Sequence, residues 1–103
     1  MTLTAQGGNI NVVNGITGTG SGGAVNLTSN TGSVNINATV AESGGGGFVN
    51  VTSASTIADA GLGFISAPNV KLDSTSGNVN LSSLSATGSL TLIADPTGAG
   101  RCV

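Results

Sequence analysis

Apolar and polar residues alternate strictly along several short stretches, as in Val25-Asn26-Leu27-Thr28-Ser29, Val34-Asn35-Ile36 and Val49-Asn50-Val51-Thr52-Ser53. A period of two puts successive side chains on opposite faces of an extended backbone, so each stretch predicts a half-buried strand. The segments between them are rich in Gly, Ser, Thr and Asn, the residues that turn a chain. Helix finds little support. The window from Ser55 to Leu62 is the most able to coil, and Gly61 and Gly63 close it, so it reads as a strand with a wider corner.

The stretches also repeat. Leu3-Thr4-Ala5-Gln6-Gly7-Gly8-Asn9-Ile10 overlies Leu27-Thr28-Ser29-Asn30-Thr31-Gly32-Ser33-Val34, without a gap, at an offset of 24 residues. Three alternations recur in each unit. The first begins at Ile10, Val34, Ile57 and Val79; the second centres on Ile16, Val40, Phe64 or Ile65, and Leu84; the third begins at Val25, Val49, Val70 and Leu90. Successive members of the first are 24, 23 and 22 residues apart, and of the third 24, 21 and 20. Such a period, with three short strands per unit, predicts an all-β parallel β-helix (β-solenoid) of about four to five coils of 20–24 residues. The expected unit is a single solenoid domain over residues 1–103, or a fragment of a longer solenoid.

Stacking coils about 4.8 Å apart sets like residues over like. The inward ladders expected are Leu3/Leu27/Val51/Leu72/Leu92, Val25/Val49/Val70/Leu90, a first-strand set through Ile10, Val34 and Val79, and a small corner set Ala5/Ser29/Ser53/Ser74/Ala94. Thr4/Thr28/Thr52 and Asn26/Asn50 point outward as regularly spaced hydroxyl and amide ladders. Gly8, Gly32, Gly77 and Gly88 precede inward aliphatics at corners, where a positive φ is expected. Gly44–Gly47 reads as a loose corner or small outward loop, without a partner of equal length in other coils.

Composition removes most chemistry. Charged residues are 6% of the chain, against about 25% in ordinary globular domains. The net charge of −2 offers no basic patch for nucleic acid, and no apolar run approaches the roughly 20 residues that span a bilayer. The chain has no His, so Ser-His-Asp, Cys-His and His-metal sites are absent. Glu42, Asp59, Asp73 and Asp95 are spread along the repeat and read as solvated surface groups, with Asp73 and Asp95 the one pair set at a common corner in successive coils. The lone Cys102 forms no intrachain disulfide; it is an incidental thiol or an intermolecular bridge. The glycine tract lacks the Lys-Ser/Thr and helix of a phosphate loop, and no calcium-binding nonapeptide occurs. Sequons at Asn26, Asn37, Asn50 and Asn80 mostly recur with the strand phrase itself. No catalytic residue, cofactor or metal site is expected, and the chain reads as a non-enzyme.

Gly-Ser-Val-Asn-Ile-Asn-Ala, Gly-Phe-Val-Asn-Val-Thr-Ser, Gly-Asn-Val-Asn-Leu-Ser-Ser and Gly-Ser-Leu-Thr-Leu-Ile-Ala resemble the repeats of filamentous-haemagglutinin-type adhesins, secreted bacterial surface fibres. The resemblance implies a right-handed β-helix, an extracellular or cell-surface location, and a role in attachment or matrix building, with a glycan or host surface as target. A solenoid this short leaves open sheet edges at both ends. The expectation is therefore a structural subunit of an extracellular filament or adhesin, its partner a second copy stacked end to end, with neither nucleic-acid binding nor membrane insertion. The alternative is an ice- or glycan-binding module reading the Thr and Asn ladders, which are interrupted at Asp73 and Ile93 and at Lys71 and Thr91.

Overall fold

A computed structural model describes residues 1–59, 63–81 and 83–94. Along them run β1 (Thr2–Ala5), β2 (Ile10–Val12), β3 (Ile16–Gly18), β4 (Ala24–Ser29), β5 (Val34–Ile36), β6 (Thr39–Glu42), β7 (Phe48–Ser53), β8 (Ile57–Ala58), β9 (Phe64–Ser74), β10 (Val79–Asn80) and β11 (Leu84–Ala94). The strands pair in parallel, each with its counterpart one coil away, and form a β-solenoid of about four turns. The first strands of the coils make one sheet, in the order β10-β8-β5-β2. β1, β4 and β7 continue into the later halves of β9 and β11, while β3 and β6 continue into their earlier halves, so the second and third columns merge into a second sheet.

Coil length explains the merger. Ile16 and Val25, like Val40 and Val49, are nine positions apart, with the turns Gly20–Gly23 and Gly44–Gly47 between them; Ile65 and Val70 are only five apart, so β9 runs straight through the corner. In β11, Thr87 and Gly88 stand opposite the single residue Pro68, a β-bulge at the same corner.

The register follows the repeat. Leu3 pairs with Leu27, Leu27 with Val51, Val51 with Leu72 and Leu72 with Leu92. Ile10, Val34, Ile57 and Val79 form the first-strand ladder, and Val25, Val49, Val70 and Leu90 another. In the second column Ile65 joins Val40, whereas Phe64 pairs with Thr39. Leu27, Val34, Val49, Val51, Leu72 and their neighbours fill a narrow core at 0–2% exposure. Three ladder members depart from the expectation of an inward, covered position: Leu3 is 41% exposed, Leu90 48% and Leu92 40%. Their register is that of the ladder, but among the described residues each pairs with a coil on one side only.

Two corner expectations are corrected. Positive φ occurs at Gly8, Gly22 and Gly46, and not at Gly32, Gly77 or Gly88. Close approach restricts these instead: a Cβ on Gly32 would lie 2.7 Å from the Gly8 carbonyl oxygen. The tract Gly44–Gly47 does have a partner of equal length, because Gly20-Ser21-Gly22-Gly23 lies one coil earlier. Each closes the same turn, Gly23 N–H donating to Gly20 O at 2.9 Å and Gly47 N–H to Gly44 O at 3.0 Å, and the two are joined by Gly22 N–H to Gly45 O at 2.7 Å.

The small corner set has a purpose that spacing alone does not reveal. Ser29 and Ser53 are buried; their hydroxyls donate to Gly8 O at 2.6 Å and Gly32 O at 2.9 Å in the preceding coil, and accept from the amides of Gly32 and Ser55 in their own corner. Ser74 repeats this, donating to Ser55 O and accepting from Gly77 N–H. A buried hydroxyl therefore stitches each corner to the one before it, satisfying groups that burial would otherwise leave without water. The side chain of Ala94 lies outside the described residues, as do Asp95, Arg101 and Cys102 and the expectations attached to them.

Candidate interaction surfaces

The outward ladders form as expected in register: Thr4 pairs with Thr28 and Thr28 with Thr52, while Asn26 pairs with Asn50. The next coils carry Asp73 and Lys71, then Ile93 and Thr91, at these positions. The amides are engaged with one another. Asn50 Nδ2 donates to Asn26 Oδ1 at 2.8 Å, and Asn26 Nδ2 to Thr2 Oγ1 at 3.5 Å. Two further ladders, not among the residues singled out from the sequence, do the same at 2.8 Å: Asn35 to Asn11 and Asn30 to Gln6. An exposed parallel sheet gains from such pairs because each amide hydrogen-bonds along the stack without leaving the surface. At the sequons, Asn26 and Asn50 are thus engaged and Asn37 is half-buried; Asn80 is exposed, and Ser82 lies outside the described residues.

Glu42 overturns its reading as a solvated corner residue. It is 3% exposed at the end of β6, where the alternation set by Val40 turns its side chain inward. Oε1 accepts the Gly44 N–H at 2.8 Å and so caps the glycine turn. Room for the chain exists because its neighbours have no side chains: Gly18 pairs with it one coil earlier, and a Cβ on Gly23 would come within 3.0 Å of Oε2. The carboxylate fills the hollow under two stacked turns, a structural use of an acid and not a catalytic pair. Among the described residues no group of three His, Cys, Asp or Glu side chains converges to hold a metal ion, and the surface has no pocket.

The ends are the other distinctive surfaces. Among the described residues, β1, β2 and β3 at the N-terminal end each pair on one side only, as do β10 and β11 at the other end. None of these five strands carries a charged residue or a proline. Natural edge strands are commonly blunted by such residues; here the edges bear Leu3 at one end and Leu90 and Leu92 at the other, each extending a buried ladder. Compared with models of known protein families, with curated proteins and with solved structures, the chain matches none.

Proposed function

We propose that the chain is a structural subunit of an extracellular or cell-surface filament or adhesin, assembling by end-to-end stacking of its coils, and that it has no catalytic role. The observation that carries the reading is the open core. In the two third-column ladders, residues buried to 0–2% inside the stack become 40–48% exposed at its ends, on strand edges without charged side chains or proline, whereas Ile10 and Val79 at the ends of the first-strand ladder stay buried. Exposed apolar residues contiguous with unsatisfied strand edges favour covering by another strand. The chain's low charge and its likeness to surface-fibre repeats support an exterior location. Negative-stain electron microscopy and sedimentation of the purified chain over rising concentration test it: fibres or end-to-end oligomers are expected, and monomeric particles at every concentration would refute assembly.

A ligand-reading face is the second reading, favoured by the in-register column Thr4–Thr28–Thr52. Against it stands the engagement of the adjoining Asn amides with one another. Thermal hysteresis, or retention on a glycan array by the monomer, would promote it.

A further inference from the structure

We propose that the stack is polar: β1 of one copy seats on the Leu90–Ala94 half of β11 of the next, Leu3 over Leu92 and Thr2 over Thr91. This deepens the filament reading and rests on it.

The register comes from the ladder. Thr2 pairs with Asn26, Asn26 with Asn50, Asn50 with Lys71 and Lys71 with Thr91, while Leu3 heads the column that ends at Leu92. A second copy placed by the same repeat continues both columns and covers the exposed leucines at both ends.

The direction comes from the hydrogen bonds. Asn30 donates to Gln6, Asn35 to Asn11 and Asn50 to Asn26; in each, the later coil supplies the N–H and the earlier coil the oxygen. Corner serines obey the same order, Ser29 donating to Gly8 O and Ser53 to Gly32 O, as do Asn69 to Gly47 O and Ser89 to Asn69 Oδ1. Ser21 Oγ runs the other way, to Gly45 O at 3.4 Å, as do the Gly8 N–H to Thr31 Oγ1 at 3.0 Å and the Met1 ammonium to Ala24 O at 2.7 Å. On β1 the Thr2 oxygen thus accepts from within the chain, leaving its hydroxyl hydrogen for the next layer. Head-to-tail contact puts that hydroxyl against Thr91 Oγ1 and prolongs the series; head-to-head contact sets it against another Thr2 oxygen that already accepts from its own Asn26. A head-to-tail contact is heterologous and open, so it propagates.

The seat is also narrow. β1 stands one coil beyond β2 and β3, so among the described residues contact with a second copy is made along the third column alone, over the four residues of β1. Assembly through it is concentration-dependent.

Cross-linking reads register and direction together. Thr2→Cys and Thr91→Cys variants, both in a Cys102→Ser background, are mixed at an assembling concentration and oxidised; parallel neighbours about 4.8 Å apart lie within disulfide reach. Mixed Thr2→Cys/Thr91→Cys dimers should predominate over either homodimer. Predominant Thr2→Cys homodimers would overturn the polarity, and fibres without the mixed cross-link would overturn the seat while leaving the filament reading standing. Absence of wild-type assembly at any concentration defeats both. Leu3→Lys and Leu92→Glu, at exposed positions, should each retain the monomer's circular dichroism and lose assembly, and mixing the two should restore it. Assembly undiminished in both single variants would also reject the seat.

Discussion

The glycine tract offers the most discriminating test of the fold, because four identical residues in a row are held by different causes. At Gly45 a Cβ would meet only Ser21 Oγ at 4.0 Å. Gly45→Ala should therefore be neutral or stabilising by up to about 1 kcal/mol, through the lower entropy of the unfolded chain. Gly46 has open space but a φ of 69°, so Gly46→Ala meets the left-handed penalty of about 1–2 kcal/mol. At Gly44 a Cβ would collide with the Gly20 carbonyl and stand 2.8 Å from Ser21 N, all of it backbone of the neighbouring turn. Relief requires the two coils to separate locally, which threatens the Gly22–Gly45 hydrogen bond as well. Overpacking of about 1–3 kcal/mol and a lost hydrogen bond of about 1 kcal/mol together give about 3 kcal/mol. Urea unfolding followed by far-UV circular dichroism, at a concentration below assembly, measures the series. With an m-value of about 1–2 kcal/mol/M, Gly44→Ala should move the midpoint down by about 1.5–3 M relative to Gly45→Ala. If the two variants unfold within about 0.5 M of each other, the tract is a loose outward loop and the stacked-turn geometry is wrong.

Other substitutions probe the core, the corners and the buried acid. Leu27→Ala should cost about 2–5 kcal/mol, whereas Leu3→Ala, in the same ladder but 41% exposed, should cost the monomer less than about 1.5 kcal/mol; equal losses in dilute urea titrations would deny the open end. Ser53→Ala removes the hydroxyl that donates to Gly32 O and accepts from the Ser55 amide, leaving those two groups their 3.1 Å bond to each other, and should cost about 0.5–1.5 kcal/mol, read as faster amide hydrogen exchange at that corner. Glu42→Ala orphans the Gly44 N–H and empties the hollow, for about 2–4 kcal/mol. Glu42→Gln keeps an acceptor and should recover at least half of that by thermal unfolding; a Gln variant as weak as the Ala variant would mean that the capping bond is not what holds the turn.

Alternation and repetition made the solenoid legible because a one-residue slip would turn every aliphatic to the solvent; Val25, Leu27, Val49 and Val51 admit one register. The same logic extends further than composition suggests. Glu42 stands two residues after Val40, at inward parity, and only its charge argued for the surface. The hollow left by glycines of the preceding coil and of its own turn decides otherwise, a three-dimensional fact spread over Gly18, Gly23 and Gly47. The 24-residue offset that aligns Leu3 with Leu27 also lays Gly20–Gly23 on Gly44–Gly47, but the substitution of Ser21 and the shorter later coils obscure it. The serine staples carry no signal beyond small size, since their partners are backbone groups one coil away.

The exposure of Leu3, Leu90 and Leu92 is of a different kind: all three end third-column ladders, whereas Ile10 and Val79, which end the first-strand ladder, stay buried. Every inner coil is covered twice and every end coil once, so a column of copies joined end to end has the same two open ends as a single copy. The fraction of ladder leucines left in water falls as the column lengthens. A chain under selection to remain monomeric would place its charges on the end strands, where they are costly to cover. Here the charged side chains among the described residues lie in the middle coils: Glu42 beneath its turn, then Asp59, Lys71 and Asp73, while β1, β2, β3, β10 and β11 have none, the Met1 ammonium donating to Ala24 O. In the proposed stack that placement leaves the ends able to receive another coil, and the amide pairs of Asn30, Asn35 and Asn50, which all donate to the earlier coil, favour one orientation for it.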